Sequence, residues 1–446
     1  MKNRIKRLLT LIVSVAMVMC VFTACDGKTT ESGTNTTKPG GGKGNTKADI
    51  NPNVNEEEYR GTSITYVTWK DPANNEDGIV VDAFEEKYGI TVNIDLISQV
   101  DYVNTIASSI ASGTQGDVIF VNSTFPGALT VMQPLDAAKL YLEDPIWKQS
   151  TLKMSSIDGH PYLVDTISNV WSEVDIVVYN KALFEQNGIT SPAEYYEAGN
   201  WTLETFKKAC QDIVALGKGY TGATVLGDAL LGGCGVSTHT YENGQFNTNL
   251  NDKYYKVTEF LAQMFSDGLI SDVRTKFTNG KTGMAVTNCF GLKRTGYFST
   301  MNSDYIAATY LPRYDRNSEQ VTTGIYRGWG LIRGAKNPVA AGLFLREYLD
   351  VNNYDLDATF HNQDAANFFF KVTGEDTNIL YYYTYGLSMA TGQTEMSEFE
   401  LTSFKRTPDQ VKGYLDSQLP TLKNMAEKGN AIIKSEKKWL AENYGG

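Results

Sequence analysis

The sequence predicts an α/β protein of two lobes, and two observations support this prediction. Strand-like and helix-like stretches alternate along the chain from Ser63 onward, which is typical of sheets covered by helices. The globular composition extends from about Tyr59 to the end of the chain, roughly 390 residues, which is more than one ordinary hydrophobic core contains. We therefore expect two lobes, each built around its own sheet.

The first three predicted elements form one β-α-β unit. Residues 63–69 alternate apolar and polar side chains and are rich in β-formers, which predicts a strand. Residues 78–88 have the apolar spacing of a helix, and Gly89 ends it. Residues 91–97 then return as a strand. A connection of this kind places both strands parallel to each other in one sheet.

A second helix and a third strand extend the same sheet. Residues 101–112 predict a helix that ends at Gly113, and residues 117–121 predict a buried strand. Ligands of parallel sheets bind beyond the carboxyl ends of the strands. The loops at residues 69–71 and 122–125 should therefore face one cleft.

The amino terminus has the parts of a bacterial export signal. Basic residues precede an uncharged apolar run, Leu8–Phe22, which is too short for a comfortable membrane-spanning helix. Ala24 precedes Cys25, and this region resembles the lipobox of bacterial lipoproteins, whose cysteine becomes the first residue and carries lipid. We expect removal of residues 1–24, lipidation of Cys25 and anchoring at the extracellular face of the cell membrane. A plain secretory signal that is cut nearby is the alternative.

Residues 25–59 predict a flexible tether. They are rich in Thr, Gly, Lys, Asn and Glu, and their only aliphatic side chains are Ala48, Ile50 and Val54. Burial therefore offers little to offset the entropy of ordering this segment. A tether of this length would let an anchored domain reach both solutes and a membrane partner. A disordered start without a mechanical role predicts the same fold.

Charge and composition narrow the range of ligands. The chain has a formal net charge of −11 at pH 7, and loss of the basic signal segment makes it more negative. This charge argues against nucleic acid or an anionic lipid surface as a partner. The 26 Tyr, 19 Phe and 6 Trp residues favour a ligand with flat apolar faces and polar rims. Packing is the alternative explanation for any single ring.

Cysteine and histidine give no sign of a disulfide framework, a metal site or a cofactor. Three thiols remain once Cys20 leaves with the signal and Cys25 is lipidated, so we expect small buried thiols with one bridge at most. The histidines are far apart in the sequence, without other ligands at zinc spacing, and we expect neither metal nor cofactor. The residues concerned are Cys210, Cys234, Cys289, His160, His239 and His361.

Short motifs follow one another along residues 66–349, for example Tyr179-Asn-Lys-Ala-Leu-Phe184. These motifs resemble those of the extracellular solute-binding proteins of bacterial ABC importers, in the branch that includes maltose-binding proteins, whose corresponding motif is Tyr-Asn-Lys-x-Leu-Phe. Each motif alone is weak evidence. The resemblance rests on the whole series, which occurs in the same order as in the family. The last hundred residues match poorly beyond being helical. The other motifs are Phe84–Ile90, Ala111–Phe120, Gln133–Asp136, Asp158–Tyr162, Asn200–Glu204, Phe277–Met284, Gly328–Ile332 and Lys336–Ala341.

The resemblance implies a type II periplasmic-binding-protein-like fold, in which two discontinuous α/β lobes joined by a hinge close around a solute. By the family layout, residues 60–170 and 310–350 form lobe one, and residues 171–309 and 351–446 form lobe two. The closed, liganded monomer would then dock on the permease subunits of an ABC transporter. The resemblance thus implies a binding protein rather than an enzyme.

The expected ligand is a carbohydrate, in particular an oligosaccharide. Sugar sites combine aromatic rings with carboxylates, amides and arginines, because sugars have apolar patches and a rim of hydroxyls. The resemblance matches Glu173 to a ligand-contacting glutamate of maltose-binding relatives and Phe290 to a stacking tryptophan. Packing at a strand end or a solvated charge is the alternative for each residue, and Trp201 should be purely structural. The predicted ligand-binding residues are Trp69, Asp71, Asn122, Phe125, Trp171, Glu173, Phe290, Tyr326, Arg327 and Trp329.

Two other classes of protein are consistent with an exported, acidic chain rich in aromatic residues. A glycoside hydrolase needs two carboxylates about 5–9.5 Å apart, but no motif selects such a pair. The sequence has neither a Gly-x-Ser-x-Gly elbow nor a Walker loop. A surface solute sensor would bind the same ligand without feeding an importer.

Overall fold

The computed structural model describes most of the globular chain, and the described residues belong to one compact unit. The predicted export signal, Cys25 and residues 26–53 of the predicted tether lie outside the described residues. Glu56–Tyr59 form a 3-10 turn, and Tyr59 packs on the core of the first sheet. The described ranges are 54–69, 71–72, 77–122, 127–166, 173–225, 227–321, 323–325, 327–350, 356–373 and 406–444.

Strands and helices alternate along the described chain, as an α/β fold requires. The strands are β1 (Ser63–Thr68), β2 (Thr91–Leu96), β3 (Val118–Asn122), β4 (Met132–Gln133), β5 (Glu173–Asn180), β6 (Thr221–Thr224), β7 (His239–Glu242), β8 (Gln245–Thr248), β9 (Ile270–Ser271), β10 (Thr282–Asn288), β11 (Ile306–Thr309), β12 (Gly324–Ile325) and β13 (Arg327–Ile332). The helices are α1 (Asp77–Tyr88), α2 (Tyr102–Ser112), α3 (Gln149–Met154), α4 (Lys181–Gln186), α5 (Pro192–Glu197), α6 (Leu203–Val214), α7 (Gly227–Gly233), α8 (Asp252–Ser266), α9 (Pro338–Leu349), α10 (Leu356–Thr359), α11 (Gln363–Thr373) and α12 (Pro408–Asn443). Across the described ranges, no helix combines the length and the apolar character that a membrane crossing needs.

The first sheet has the strand order β2-β1-β3-β13-β4. β1 is parallel to β2 and β3, whereas β13 is antiparallel to β3 and β4. The structure confirms the five elements that the sequence predicted here, from β1 to β3. Gly113 ends α2 in the left-handed conformation, with a φ of 73°, which glycine adopts without steric cost.

The second sheet has the strand order β11-β5-β10-β6-β9, and β12 also pairs with β5. β10 is antiparallel to β5, so the carboxyl end of β10 lies beside the amino end of β5. The core beside this sheet contains Trp201, which is 1% exposed and donates its indole N–H to the Tyr310 carbonyl at 2.7 Å. This environment confirms the structural role predicted for Trp201.

Two short connections, which we call the crossing segments, join the two sheets. In the first, the strand β12 pairs with β5, and β13 begins two residues after β12 ends but belongs to the first sheet. The second runs from Thr166, which forms a bridge with Trp147, to Glu173 at the start of β5. Residues 326 and 167–172 of these segments lie outside the described residues. The two sheets therefore adjoin at the first residues of β5 and β13.

The long helix α12 contributes to the cores of both sheets. Its buried apolar residues before Pro420 pack in the core of the second sheet, and those after Pro420 pack in the core of the first. A proline inside a helix removes one backbone hydrogen bond, so the helix is weakened where it passes between the cores. The predicted lobe boundaries, which assign residues 351–446 to one lobe, stay a prediction. The buried residues are Val411 and Leu415 before the proline, and Leu422, Met425, Ala426, Ile433 and Leu440 after it.

Polar contacts hold the second half of α12 in place. Glu436, which is 4% exposed, accepts hydrogen bonds from Arg333 Nη2 at 2.6 and 2.7 Å and from the Tyr162 hydroxyl at 2.5 Å. The Asn430 side chain binds both the backbone N–H and the carbonyl of Phe246, at 2.7 and 2.9 Å. Because Phe246 lies on the β7–β8 hairpin, α12 links this hairpin to the first sheet.

The three thiols are buried and not bonded to each other, which confirms the small buried thiols predicted from the sequence. They are Cys210, Cys234 and Cys289. Burial raises the pKa of each thiol above its ordinary value. They therefore stay protonated and unreactive near neutral pH.

Candidate ligand-binding site

One edge of the first sheet collects several of the predicted site residues. The parallel strands β1 and β3 end at this edge, and the antiparallel strand β13 begins there, because Arg327 pairs with Asn122. Trp69 directly follows β1, and Asp71 lies two residues further along; both are half-buried. This is the type of edge where α/β proteins bind their ligands.

Three aromatic rings lie next to one another at this edge, and we call Trp69, Phe120 and Trp329 the aromatic row. The ring centroids of Trp69 and Phe120 are 4.9 Å apart, and those of Phe120 and Trp329 are 4.6 Å apart. Ring pairs at such distances contribute about 0.5–1.5 kcal/mol beyond simple burial. The contacts between its rings therefore stabilise the aromatic row, and each of its three residues keeps a partly exposed surface.

Neighbouring tyrosines anchor the two tryptophans of the row. Trp329 donates its indole N–H to the Tyr66 hydroxyl at 3.1 Å and packs edge-on against Tyr348. Trp69 packs edge-on against Tyr102, with 5.5 Å between the ring centroids. Both tryptophans thus take part in packing, which was the alternative to ligand binding in the sequence analysis. Both side chains also keep a partly exposed surface, and their role in binding stays a prediction.

Phe120 was not among the predicted site residues. The strand at residues 117–121 is an apolar run, which predicts burial on both faces and singles out no residue. The β3–β13 register places Phe120 at the site, because Phe120 pairs directly with Trp329. One signal was available in the sequence: Phe120 lies two residues before Asn122, and such residues share one face of a strand.

Phe290 lies at the corresponding edge of the second sheet. It follows the carboxyl end of β10, where Asn288 pairs with Asp175 near the start of β5. The Asn288 side chain accepts a hydrogen bond from the Phe290 backbone N–H at 3.1 Å. The Phe290 ring is half-buried and packs edge-on against Tyr297, 5.0 Å away between centroids. Since β5 begins at the crossing segments, Phe290 and the aromatic row occupy the adjoining edges of the two sheets.

Buried charged groups lie around the crossing segments. Lys148 Nζ is 3.6 Å from Asp165 Oδ2, and these side chains are only 6% and 3% exposed. Burial lowers the pKa of Lys148, the Asp165 carboxylate opposes this shift, and the charge of Arg327 adds to it. Asp175 is also buried and accepts a hydrogen bond from the Thr323 hydroxyl at 2.8 Å. No sequence motif predicts these contacts, because the partners are brought together only by the fold.

The remaining predicted residues are described in part or not at all. Glu173 is the first residue of β5, and its backbone pairs with that of Ile325. Phe125, Trp171 and Tyr326 lie outside the described residues. The full set of predicted ligand contacts therefore stays a prediction.

The described part of the site combines aromatic surface with a carboxylate and a guanidinium group. Such a mixture suits a ligand that has an apolar face and a rim able to donate and accept hydrogen bonds. Within the part of the chain that the structure describes, no group of three or more His, Cys, Asp or Glu side chains is arranged to hold a metal ion.

Two α/β units joined by crossing segments, with aromatic and charged side chains at their adjoining edges, define the class of two-lobed, periplasmic-binding-protein-like proteins. The sequence model of the bacterial extracellular solute-binding proteins matches residues 61–350. The chain belongs to this family, which confirms the resemblance found in the sequence motifs. No curated protein is similar enough in sequence to count as a match.

Solved structures share the fold at low sequence identity. The galacto-N-biose-/lacto-N-biose I-binding protein of Bifidobacterium longum, in complex with lacto-N-biose, is 14% identical, with a TM-score of 0.60 and coverage of 81% of this chain and 97% of that one. The sugar-binding protein MalE of Xanthomonas citri is 13% identical, with a TM-score of 0.59 and coverage of 85% and 99%. An ABC substrate-binding protein of Listeria monocytogenes, in complex with cycloalternan, is 16% identical, with a TM-score of 0.55 and coverage of 84% and 99%. These likenesses confirm the predicted fold class.

Proposed function

We propose that the protein is the substrate-binding lipoprotein of an ABC transporter, which captures an oligosaccharide between its lobes and delivers it to membrane permease subunits. The observation that carries this proposal is the aromatic row, with Arg327 at the start of the neighbouring strand β13 and Asp71 two residues after Trp69 in the chain. Aromatic rings suit the apolar faces of sugar rings, and the charged groups suit sugar hydroxyls.

The ligands named for the structural neighbours support a sugar. Lacto-N-biose and cycloalternan are saccharides, and the Xanthomonas citri protein is described as sugar-binding. At identities this low a shared fold does not transfer a ligand. The proposal therefore rests first on the chemistry of the aromatic row and only second on the neighbours.

Binding between the lobes gives the ligand a means to drive closure. The aromatic row and Phe290 belong to different sheets, so a sugar that touches both interacts more strongly with the closed form. A ligand shifts a conformational equilibrium only by such a difference in affinity. The closed, liganded shape is then what the permease would recognise, and no chemical reaction is required.

We expect the purified protein to bind a neutral oligosaccharide reversibly, with a micromolar dissociation constant, about −8 kcal/mol. A thermal-shift panel of oligosaccharides of varied length and linkage would find the ligand. Ligand at about 100 times its dissociation constant adds roughly 2.7 kcal/mol of stability. Calorimetry would then measure affinity, and chromatography after long incubation would check that the sugar is intact.

The outcomes of this experiment separate the alternatives. Hydrolysis products that accumulate with time would identify a glycoside hydrolase instead. A broad panel without any stabilising sugar would contradict the carbohydrate ligand. Binding without hydrolysis supports a binding protein. Loss of ligand uptake in cells that lack the protein would then identify an importer component, and unchanged uptake would identify a sensor.

The proposed membrane anchor is a lipid on Cys25. A diacylglyceryl group supplies two acyl chains, which is about what stable anchoring requires, whereas one chain gives only marginal binding. The polar segment after Cys25 would then serve as the tether to the globular fold. This part of the proposal rests on the sequence motif alone.

Replacing Cys25 by Ala should release the protein from the membrane fraction into the medium, because the variant lacks the thiol that would carry the lipid. Cell fractionation with immunoblotting measures the distribution. Cys20→Ala is the matched control, since it changes a cysteine inside the signal and should leave membrane retention unchanged. Unaltered retention of the Cys25 variant would contradict lipidation.

A further inference from the structure

We propose that Tyr297 is a ligand-contacting residue, and that it forms with Phe290 a sugar subsite on the second sheet. We call this pair the aromatic corner. The inference rests on the proposed function and deepens it, because it assigns a specific second wall to the binding site. Neither the sequence motifs nor the strand pattern points to Tyr297.

The aromatic corner stands at the edge of the second sheet that adjoins the first sheet. Tyr297 is 37% exposed, and its ring lies 5.0 Å from that of Phe290 at an interplanar angle of 78°. The Tyr297 hydroxyl is 3.5 Å from the Asn288 amide nitrogen. Asn288 is the last residue of β10 and pairs with Asp175 near the start of β5. Both rings thus stand at the carboxyl end of β10, next to the crossing segments.

The chain from Phe290 to Tyr297 forms a tight loop, which we call the curl, and two positions in it require glycine. A Cβ atom at Gly296 would lie 1.8 Å from the Phe290 carbonyl oxygen, and one at Gly291 would lie 2.8 Å from the Phe298 ring. Contacts this short do not occur in folded proteins, so larger residues would force the curl open. The two glycines therefore permit the return of the chain that brings Tyr297 onto Phe290.

Phe298 fixes the far side of the curl. It is fully buried, and its ring lies 4.5 Å from that of Phe277 between centroids. Its neighbour Tyr297 is thereby held partly exposed, although an aromatic side chain gains free energy by burial. Tyr297 therefore presents a partly exposed ring whose position is fixed by Phe290 and Phe298 before any ligand binds.

The shape of the aromatic corner indicates the kind of ligand it fits. Two nearly perpendicular rings can contact one saccharide unit on a face and along an edge at the same time. The Tyr297 hydroxyl, close to the Asn288 amide, adds a group that both donates and accepts hydrogen bonds. A neutral pyranose unit has the matching combination of an apolar face and an equatorial rim of hydroxyls.

The test compares Tyr297 with Tyr305, a tyrosine of similar exposure in another loop of the second sheet. Tyr305 is 40% exposed and precedes β11, whose first residue, Ile306, pairs with Asn180 at the far end of β5. It therefore lies at the opposite edge of the sheet. Calorimetry with the tightest-binding oligosaccharide of the panel should show about a tenfold loss of affinity for Tyr297→Ala. Tyr305→Ala should bind as the wild type does.

A third variant separates the ring from its hydroxyl. Tyr297→Phe should retain affinity within about threefold, because stacking on the ring contributes most of the contact. Chemical denaturation should show wild-type stability for Tyr305→Ala and Tyr297→Phe, and a loss of about 1 kcal/mol for Tyr297→Ala, which removes the edge-on contact with Phe290. If Tyr297→Ala binds the sugar as tightly as the wild type, the inference is wrong while the proposed function stands. If the wild-type protein binds no saccharide, both are overturned.

Discussion

Replacing Trp69 by Ala should weaken sugar binding by about 1–3 kcal/mol, whereas Trp201→Ala should spare binding and destabilise the fold by about 3–5 kcal/mol. The two side chains are identical and differ only in their surroundings. Trp69 is half-buried at the edge of the first sheet, and Trp201 is 1% exposed in a core.

The contacts that each variant loses account for the opposite effects. Truncation of Trp201 leaves a cavity, removes packing against Phe206 and deprives the Tyr310 carbonyl of its hydrogen bond. Truncation of Trp69 removes one end of the aromatic row and its contacts with Tyr102 and Phe120. We therefore expect a smaller loss of stability for Trp69→Ala, together with a loss of ligand stacking.

Calorimetry with the identified sugar and denaturant unfolding without it measure the two effects independently. Trp69→Phe keeps an aromatic ring and should recover much of the affinity. Trp329→Ala should lower both the affinity for the sugar and the free energy of unfolding, because Trp329 packs in the aromatic row and also donates a hydrogen bond to Tyr66. Wild-type affinity in both Trp69→Ala and Trp329→Ala would show that the site lies elsewhere.

Replacing Glu436 by Ala should lower the free energy of unfolding by about 3 kcal/mol, because the variant leaves a partly buried cation without its partner. Glu436 accepts two hydrogen bonds from Arg333, whose side chain is 24% exposed, and one from the Tyr162 hydroxyl. Tyr162 is itself fully buried, so its hydroxyl would lose its partner as well.

Denaturant unfolding monitored by circular dichroism measures this effect. Glu442→Ala is the matched control on the same helix, because Glu442 forms an exposed pair with Lys438 at 3.8 Å with side chains 61% and 79% exposed. Exposed pairs of this spacing contribute about 0.3–0.5 kcal/mol, so the control should change stability little. Equal stability of the two variants would show that the Glu436 contacts do not hold α12 to the first sheet.

The role of α12 makes this contact relevant to binding as well as to stability. The helix places apolar residues in both cores on either side of Pro420, and Asn430 links it to the β7–β8 hairpin. Any change in the relative position of the two sheets must be accommodated by this helix. The crossing segments are therefore not the only part of the chain that a closing motion would involve.

The sequence by itself determined the local elements of the first sheet and the class of the protein. Alternating and helical periodicities place β1 to β3 and the two intervening helices correctly, because each depends on neighbouring residues and on end signals such as Gly113. The ordered motifs also determined the family. Elements and motifs of this kind are set by residues close together along the chain.

Only the tertiary structure decided which distant residues meet. The β3–β13 register places Phe120 against Trp329, the fold buries Lys148 beside Asp165, and the curl after β10 brings Tyr297 onto Phe290. The single long helix α12 likewise gives no sequence sign that its two halves pack in different cores. Periodicity reports which face of an element is buried but not which partner covers it, because the partner is selected by register, packing and chain crossing. The candidate binding site is made almost wholly of such long-range contacts.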